Sequence, residues 1–109
     1  GRVFRDLNFG WKAVPAALRD IFYFEIVEGR SFLYCEDRVF ECRQKLYEFE
    51  TLCRGSMLFR CSKSMILNTD KIACVRPSVS GRFEATLVNQ EKVIISHQYV
   101  GELKRMLGI

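Results

Sequence analysis

Apolar residues return at every second position from Ile21 to Val27, with Phe22, Phe24 and Ile26 on one side of the run and Tyr23, Glu25 and Val27 on the other. A period of two built from aromatic and β-branched residues predicts a strand. Glu28-Gly29-Arg30 supplies a turn, and Ser31 to Cys35 returns with Phe32 and Tyr34 facing one way, so a hairpin with Arg30 at its tip is expected. After the polar Glu36-Asp37-Arg38, Val39 to Cys42 reads as a short third strand. The period then changes. Between Gln44 and Cys53, Leu46, Phe49 and Cys53 recur at three- and four-residue spacing, with Glu48 and Glu50 turned to water, which predicts a helix stopped by Gly55.

Further on, Phe59 to Asn68 places Arg60 and Lys63 between short apolar runs, so a charged loop is expected between two pieces of core, the second being the strand Met65-Ile66-Leu67. Ile72 to Val75 is a strand ended by Pro77, and Ser78 to Gly81 is a turn. A hairpin follows: Phe83, Ala85 and Leu87 alternate with Glu84, Thr86 and Val88, Asn89-Gln90-Glu91 reverses the chain, and Val93 to Ile95 completes the pair. From Gln98 to Leu107, Tyr99, Val100, Leu103, Met106 and Leu107 keep helical spacing, with Ser96 and Gly108 as boundary signals. Residues 1–19 show no clear period and read as a connector or N-terminal extension, with a turn of helix near Ala16-Ala17-Leu18 and Trp11 docked on the domain formed by residues 20–109. The expected fold is mainly β: small packed antiparallel sheets with a short middle helix and a C-terminal helix.

The 109 residues suffice for one domain around one core, and no apolar run is long enough to span a membrane. No signal peptide is visible, and the Gly-Arg start without Met reads as a fragment of a longer protein. Five Cys without a C-x-x-C pair or a His cluster argue against a zinc site, and their odd number argues against a disulfide framework; reduced cysteines in a cytoplasmic protein are expected. No Gly-rich phosphate loop, G-x-S-x-G or paired His supports catalysis, so no catalytic residue, metal or cofactor is expected. The net charge of +4 leans toward an anionic partner, but the cations are scattered, and any binding face would have to be assembled by folding from Arg30, Arg60, Lys63 and others distant in sequence. Arg60 can point outward to phosphate or pair with an acid such as Glu84. Asn68, before Thr69-Asp70, reads as a turn residue bonded to its own backbone.

Phe59-Arg60-Cys61-Ser62-Lys63-Ser64-Met65-Ile66-Leu67-Asn68 resembles x-R-x-H-[KR]-S-[YF]-[ILV]-V-N, from the central signature of the LytTR DNA-binding domain of bacterial response regulators. The aromatic strand Ile21 to Glu25, the segment Thr69 to Ile72 and the ending from Val93 through Ile109 extend the similarity over roughly residues 20–109. The resemblance implies an elongated β fold whose loops, not a recognition helix, enter successive major grooves of promoter DNA. It also implies an upstream receiver domain and a homodimer on repeated sites. It makes Lys63, flanked by the hydroxyls of Ser62 and Ser64, a DNA contact, and sets Arg30 in the first DNA-facing loop. Where the family commonly has V-S-R, this chain has Ile95-Ser96-His97. An imidazole offers one hydrogen bond where a guanidinium offers two to guanine, so either His97 makes a weaker contact or recognition passes to Gln98, whose amide suits adenine. Two other readings stay open: a protein-interaction module whose cations are only a solvated surface, and a single-strand binder using exposed Tyr23 and Tyr34.

Overall fold

The computed structural model describes residues 2–6 and 10–14 as backbone strands and residues 17–109 in full. In chain order the strands are β1 (Arg2–Asp6), β2 (Gly10–Val14), β3 (Ile21–Val27), β4 (Arg30–Cys35) and β5 (Val39–Cys42), followed by helix α1 (Leu46–Leu52). Then come β6 (Leu58–Ser62), β7 (Met65–Asn68), β8 (Ile72–Pro77), β9 (Phe83–Leu87), β10 (Lys92–Ile95) and helix α2 (Val100–Leu107). Seven strands form one antiparallel sheet in the order β2-β1-β5-β4-β3-β7-β6, and three form a second in the order β10-β9-β8. The mainly β architecture with a short middle helix and a C-terminal helix is thus the one expected. Neither helix is long and apolar enough to cross a membrane.

Instead of one core there are two, one on each face of the large sheet. On the first face Phe24, Leu33, Phe40 and Ile66 pack against Phe49 and Cys53 of the α1 region, with the Phe24 and Phe49 rings stacked at 4.5 Å. Such a pair adds about 0.5–1.5 kcal/mol beyond the area it buries. On the second face Tyr23, Phe59, Cys61 and Leu67 meet Ala85, Leu87, Val93 and Ile95 of the small sheet and Leu103 of α2. A sheet apolar on both faces needs a layer on each, which is why one domain carries two clusters.

The alternation in β3 is broken where the sequence pattern ran on. A register shift between Ile21 and Tyr23 puts Phe22 in the second core beside Tyr23, not in the first with Phe24. A bulge adds a residue on one strand and so turns consecutive side chains to the same face. Residues 2–6 and 10–14, without period in the sequence, form the antiparallel pair β1–β2, and β1 adds to β5 through Arg5↔Glu41 and Asp6↔Phe40. The short helical turn lies at Leu18–Asp20. The docking expected of Trp11 falls outside the described residues.

Candidate nucleic-acid interface

Strand register decides which loops share an end of the large sheet. Val27 pairs with Arg30, Ser31 with Cys42, Glu25 with Met65, and Ser62 with Met65. The β3–β4 hairpin tip, the segment following β5 and the β6–β7 turn therefore all emerge at one end. The small sheet reaches the same place, because Ser96 N–H, just past β10, donates to Cys61 O at 2.9 Å. Ser62, Lys63 and Ser64 from one sheet and Ser96, His97, Gln98 and Tyr99 from the other line a single groove of about 470 Å³. Five of the seven residues expected to meet DNA, Ser62, Lys63, Ser64, His97 and Gln98, are thus brought together.

The two hairpins at this end are held differently. Between β3 and β4, Glu28 and Gly29 both have positive φ (50° and 76°), the pattern of the primed two-residue turn whose twist matches its strands. Between β6 and β7, neither Lys63 nor Ser64 has positive φ, so this turn lacks that intrinsic preference and is fixed from outside. Arg60 Nε donates to Ser62 O at 2.5 Å and its Nη2 to Lys63 O at 2.7 Å. Ser64 N–H donates to Ser62 Oγ at 3.2 Å, and Ile26 N–H donates to Ser64 O at 2.9 Å. Ser62 is partly exposed and Lys63 exposed.

Arg60 does not line this groove; it lies behind the turn, toward a larger open cleft of about 1100 Å³ between α1 and α2. Its Nη1 approaches Glu50 at 3.5 Å and its guanidinium sits 5.8 Å from the Tyr99 ring centroid. The pairing considered with Glu84 does not form, because Glu84 is taken by Arg76 at 2.7 Å and Lys92 at 3.9 Å. Glu50, expected to face water, turns back to Arg60.

Arg30 stands at the same end as Lys63, but Glu41 holds it in a two-bond fork, Nε to Oε2 at 2.8 Å and Nη2 to Oε1 at 2.9 Å, with the guanidinium 5.4 Å from the Phe32 centroid. This carboxylate raises the Arg30 pKa above its usual value. His97 is exposed and makes no hydrogen bond among the described residues; its ring rests against Gly81, where an added Cβ would come within 2.6 Å of Cδ2. The close approach explains glycine there and sets the plane of the imidazole. Asn68 is fully buried: Nδ2 donates to Ile21 O at 2.8 Å, and Oδ1 accepts from Asp70 N–H at 2.9 Å, the turn-holding role expected of it.

Tyr23 cannot serve as an exposed stacking platform. It is buried, stacked on Tyr34 at 4.4 Å, and donates its hydroxyl to Glu91 Oε2 at 2.7 Å, tying the large sheet to the β9–β10 turn. Burial and the Glu91 carboxylate push its pKa far above the normal phenol range. The sequence reading also passed over Arg43 and Lys45, both exposed at the same end; the signal available was their place directly after a strand whose register with β4 puts its last residue opposite Ser31.

Fold and groove together describe a small two-sheet β domain that presents basic and hydroxyl side chains on turns. A family model described as the LytTr DNA-binding domain matches residues 12–108, and the chain belongs to that family. The "LytTr DNA-binding domain of putative methyl-accepting/DNA response regulator from Bacillus cereus" shares the fold at a TM-score of 0.84 and 24% identity, with all of both chains covered. A curated relative, "Sensory transduction protein LytT" of Enterococcus faecalis (strain ATCC 700802 / V583), is 27% identical over 93 residues, covering 85% of this chain. The chain spans 38% of that relative's length.

Proposed function

We propose that this domain binds duplex promoter DNA as the output part of a two-component response regulator in the cytoplasm, dimerising on repeated sites under an upstream receiver domain. The convergence of Ser62, Lys63, Ser64, His97 and Gln98 on one groove carries the reading, together with family membership. In this reading the Ser62 hydroxyl and Lys63 ammonium meet phosphate or a base edge, Ser64 closes the turn, and His97 and Gln98 read bases from the opposite wall. Arg30 contributes through Nη1, which has no hydrogen bond among the described residues, and Arg60 acts from behind the turn.

Selection of bound duplexes from a random oligonucleotide pool, followed by titration at several salt concentrations, tests the proposal. Enrichment of a defined sequence and a steep log-linear loss of affinity with salt are expected. Lys63→Ala should weaken binding by about 1–3 kcal/mol. The rival, a protein-interaction surface with no nucleic-acid role, predicts no enrichment and little salt response, and that outcome would overturn the proposal.

A further inference from the structure

The β5–α1 connection, residues 43–45, comes out beside the β3–β4 hairpin. Ser31 pairs with Cys42, so the next step of the same register sets Arg43 opposite Arg30. Both Arg43 and Lys45 are exposed, and neither side chain has an ion pair or hydrogen bond among the described residues. The acids nearby in sequence are engaged: Glu41 holds Arg30, and Glu48 accepts from the Lys45 backbone N–H at 2.8 Å. Glu28, at the hairpin tip, is exposed.

The connection is also held in place. Ser31 Oγ donates to Gln44 O at 2.6 Å, and α1, which begins one residue after Lys45, is anchored by the buried Phe49. Two unmatched cations next to Arg30, on a segment tied down at its middle and its end, lose little conformational entropy on meeting a partner. Across the end of the sheet their neighbours are the hairpin tip and then the Lys63 turn.

We infer that Arg43 and Lys45 form a fourth DNA-contacting segment, beside those of Arg30, Lys63 and His97, which takes backbone phosphates to one side of the groove and reads no base. The inference rests on the duplex-binding reading above. Phosphate contacts add affinity without sequence information, and each one lost lowers the slope of log K against log salt by about 0.9 on duplex DNA.

The experiment compares the full chain, Arg43→Ala/Lys45→Ala and the control Arg19→Ala/Arg54→Ala by titration at several salt concentrations, on the selected duplex and on a scrambled one. Arg19 precedes the start of β3 and Arg54 precedes β6, so the control removes the same charge from the opposite end of the sheet. The expected result is a slope shallower by about 1.8 for Arg43→Ala/Lys45→Ala on both duplexes, with the preference between them unchanged and the control slope that of the full chain. An unaltered slope in Arg43→Ala/Lys45→Ala, or an equal drop in the control, would overturn the fourth segment while leaving the duplex reading standing. Loss of sequence preference in Arg43→Ala/Lys45→Ala would overturn the claim that no base is read. A full chain that fails to bind duplex overturns both proposals.

Discussion

Replacing Arg60 separates a residue that touches DNA from one that shapes the residue that does. Arg60→Ala removes two charge-assisted bonds to the carbonyls of Ser62 and Lys63 and a 3.5 Å contact with Glu50. Fully sequestered bonds of this kind contribute about 1.5–3 kcal/mol each. These carbonyls lie at the rim, where water can replace the donor, and the Glu50 contact is partly exposed and worth little. The expected loss of folding stability is therefore about 1–2 kcal/mol, measured by urea denaturation. The effect on binding follows from the turn's missing backbone preference: if the competent geometry falls to about one tenth of the population, affinity falls about tenfold. No phosphate contact is lost, so the salt slope should equal that of the unaltered chain. Arg60→Lys should not restore affinity, because a point charge cannot bridge two carbonyls as the planar fork does. A slope shallower by about 0.9 in Arg60→Ala, or full rescue by Arg60→Lys, would show that Arg60 contacts phosphate and that the bracing argument is wrong.

Gly81→Ala should cost about 1–2 kcal/mol in a thermal melt, because φ is +72° there, and should displace the His97 imidazole and alter base preference; unchanged preference would remove the role given to the ring's orientation. Asn68→Ala should destabilise by about 2–4 kcal/mol in denaturant, since it leaves Ile21 O and Asp70 N–H without their partner. Burial, and then Glu91, raise the Glu25 pKa in the folded chain, so folding favours the protonated carboxyl. Its contribution to stability is then lost as pH rises through that raised value, and Glu25→Gln should flatten this decline in unfolding curves taken between about pH 4 and pH 7. A thiol reagent should react rapidly with exposed Cys74, whereas burial pushes Cys53 and Cys61 up to about 12 and keeps them unreactive until unfolding. A rapid phase that survives in Cys74→Ser would refute that order.

What the sequence showed was whatever depends on local period. The alternation of Phe83, Ala85 and Leu87, the stripe of Leu46, Phe49 and Cys53, and the turn at Asn68 all report an environment within a few residues, and all reappear in the fold. Period does not report which layer covers each face. The second core on the far side of β3 was therefore hidden, as was the bulge that moves Phe22 into it. In the site, Lys63 and its two serines could be picked out by a ten-residue signature, and His97 by its place in the closing segment. The partner of Arg60 could not, because Glu50 reaches it through the packing of α1 on the sheet. Arg43 and Lys45 were missed for the same reason: only the register of β5 with β4 brings them to the end that carries Lys63.

The groove walls belong to different sheets, so its width is a property of the core between them and not of the loops. Lys63 rides on β6 and β7, and His97 follows β10. The Cys61–Ser96 backbone bond, the Tyr23–Glu91 bond and the packing of Cys61, Leu67, Val93 and Ile95 are what hold one wall against the other. Val93→Ala would remove two methyl groups from this layer, at a buried residue that does not line the groove, at a cost of about 1–3 kcal/mol. If the cavity is filled by the sheets closing, the spacing of Lys63 and His97 shrinks, and sequence preference should degrade more than nonspecific affinity does, since phosphate contacts tolerate small displacements better than base-edge hydrogen bonds do. Equal losses on selected and scrambled duplexes, read from titrations at one salt concentration, would mean that the two walls act independently and that the interlayer core supports stability alone.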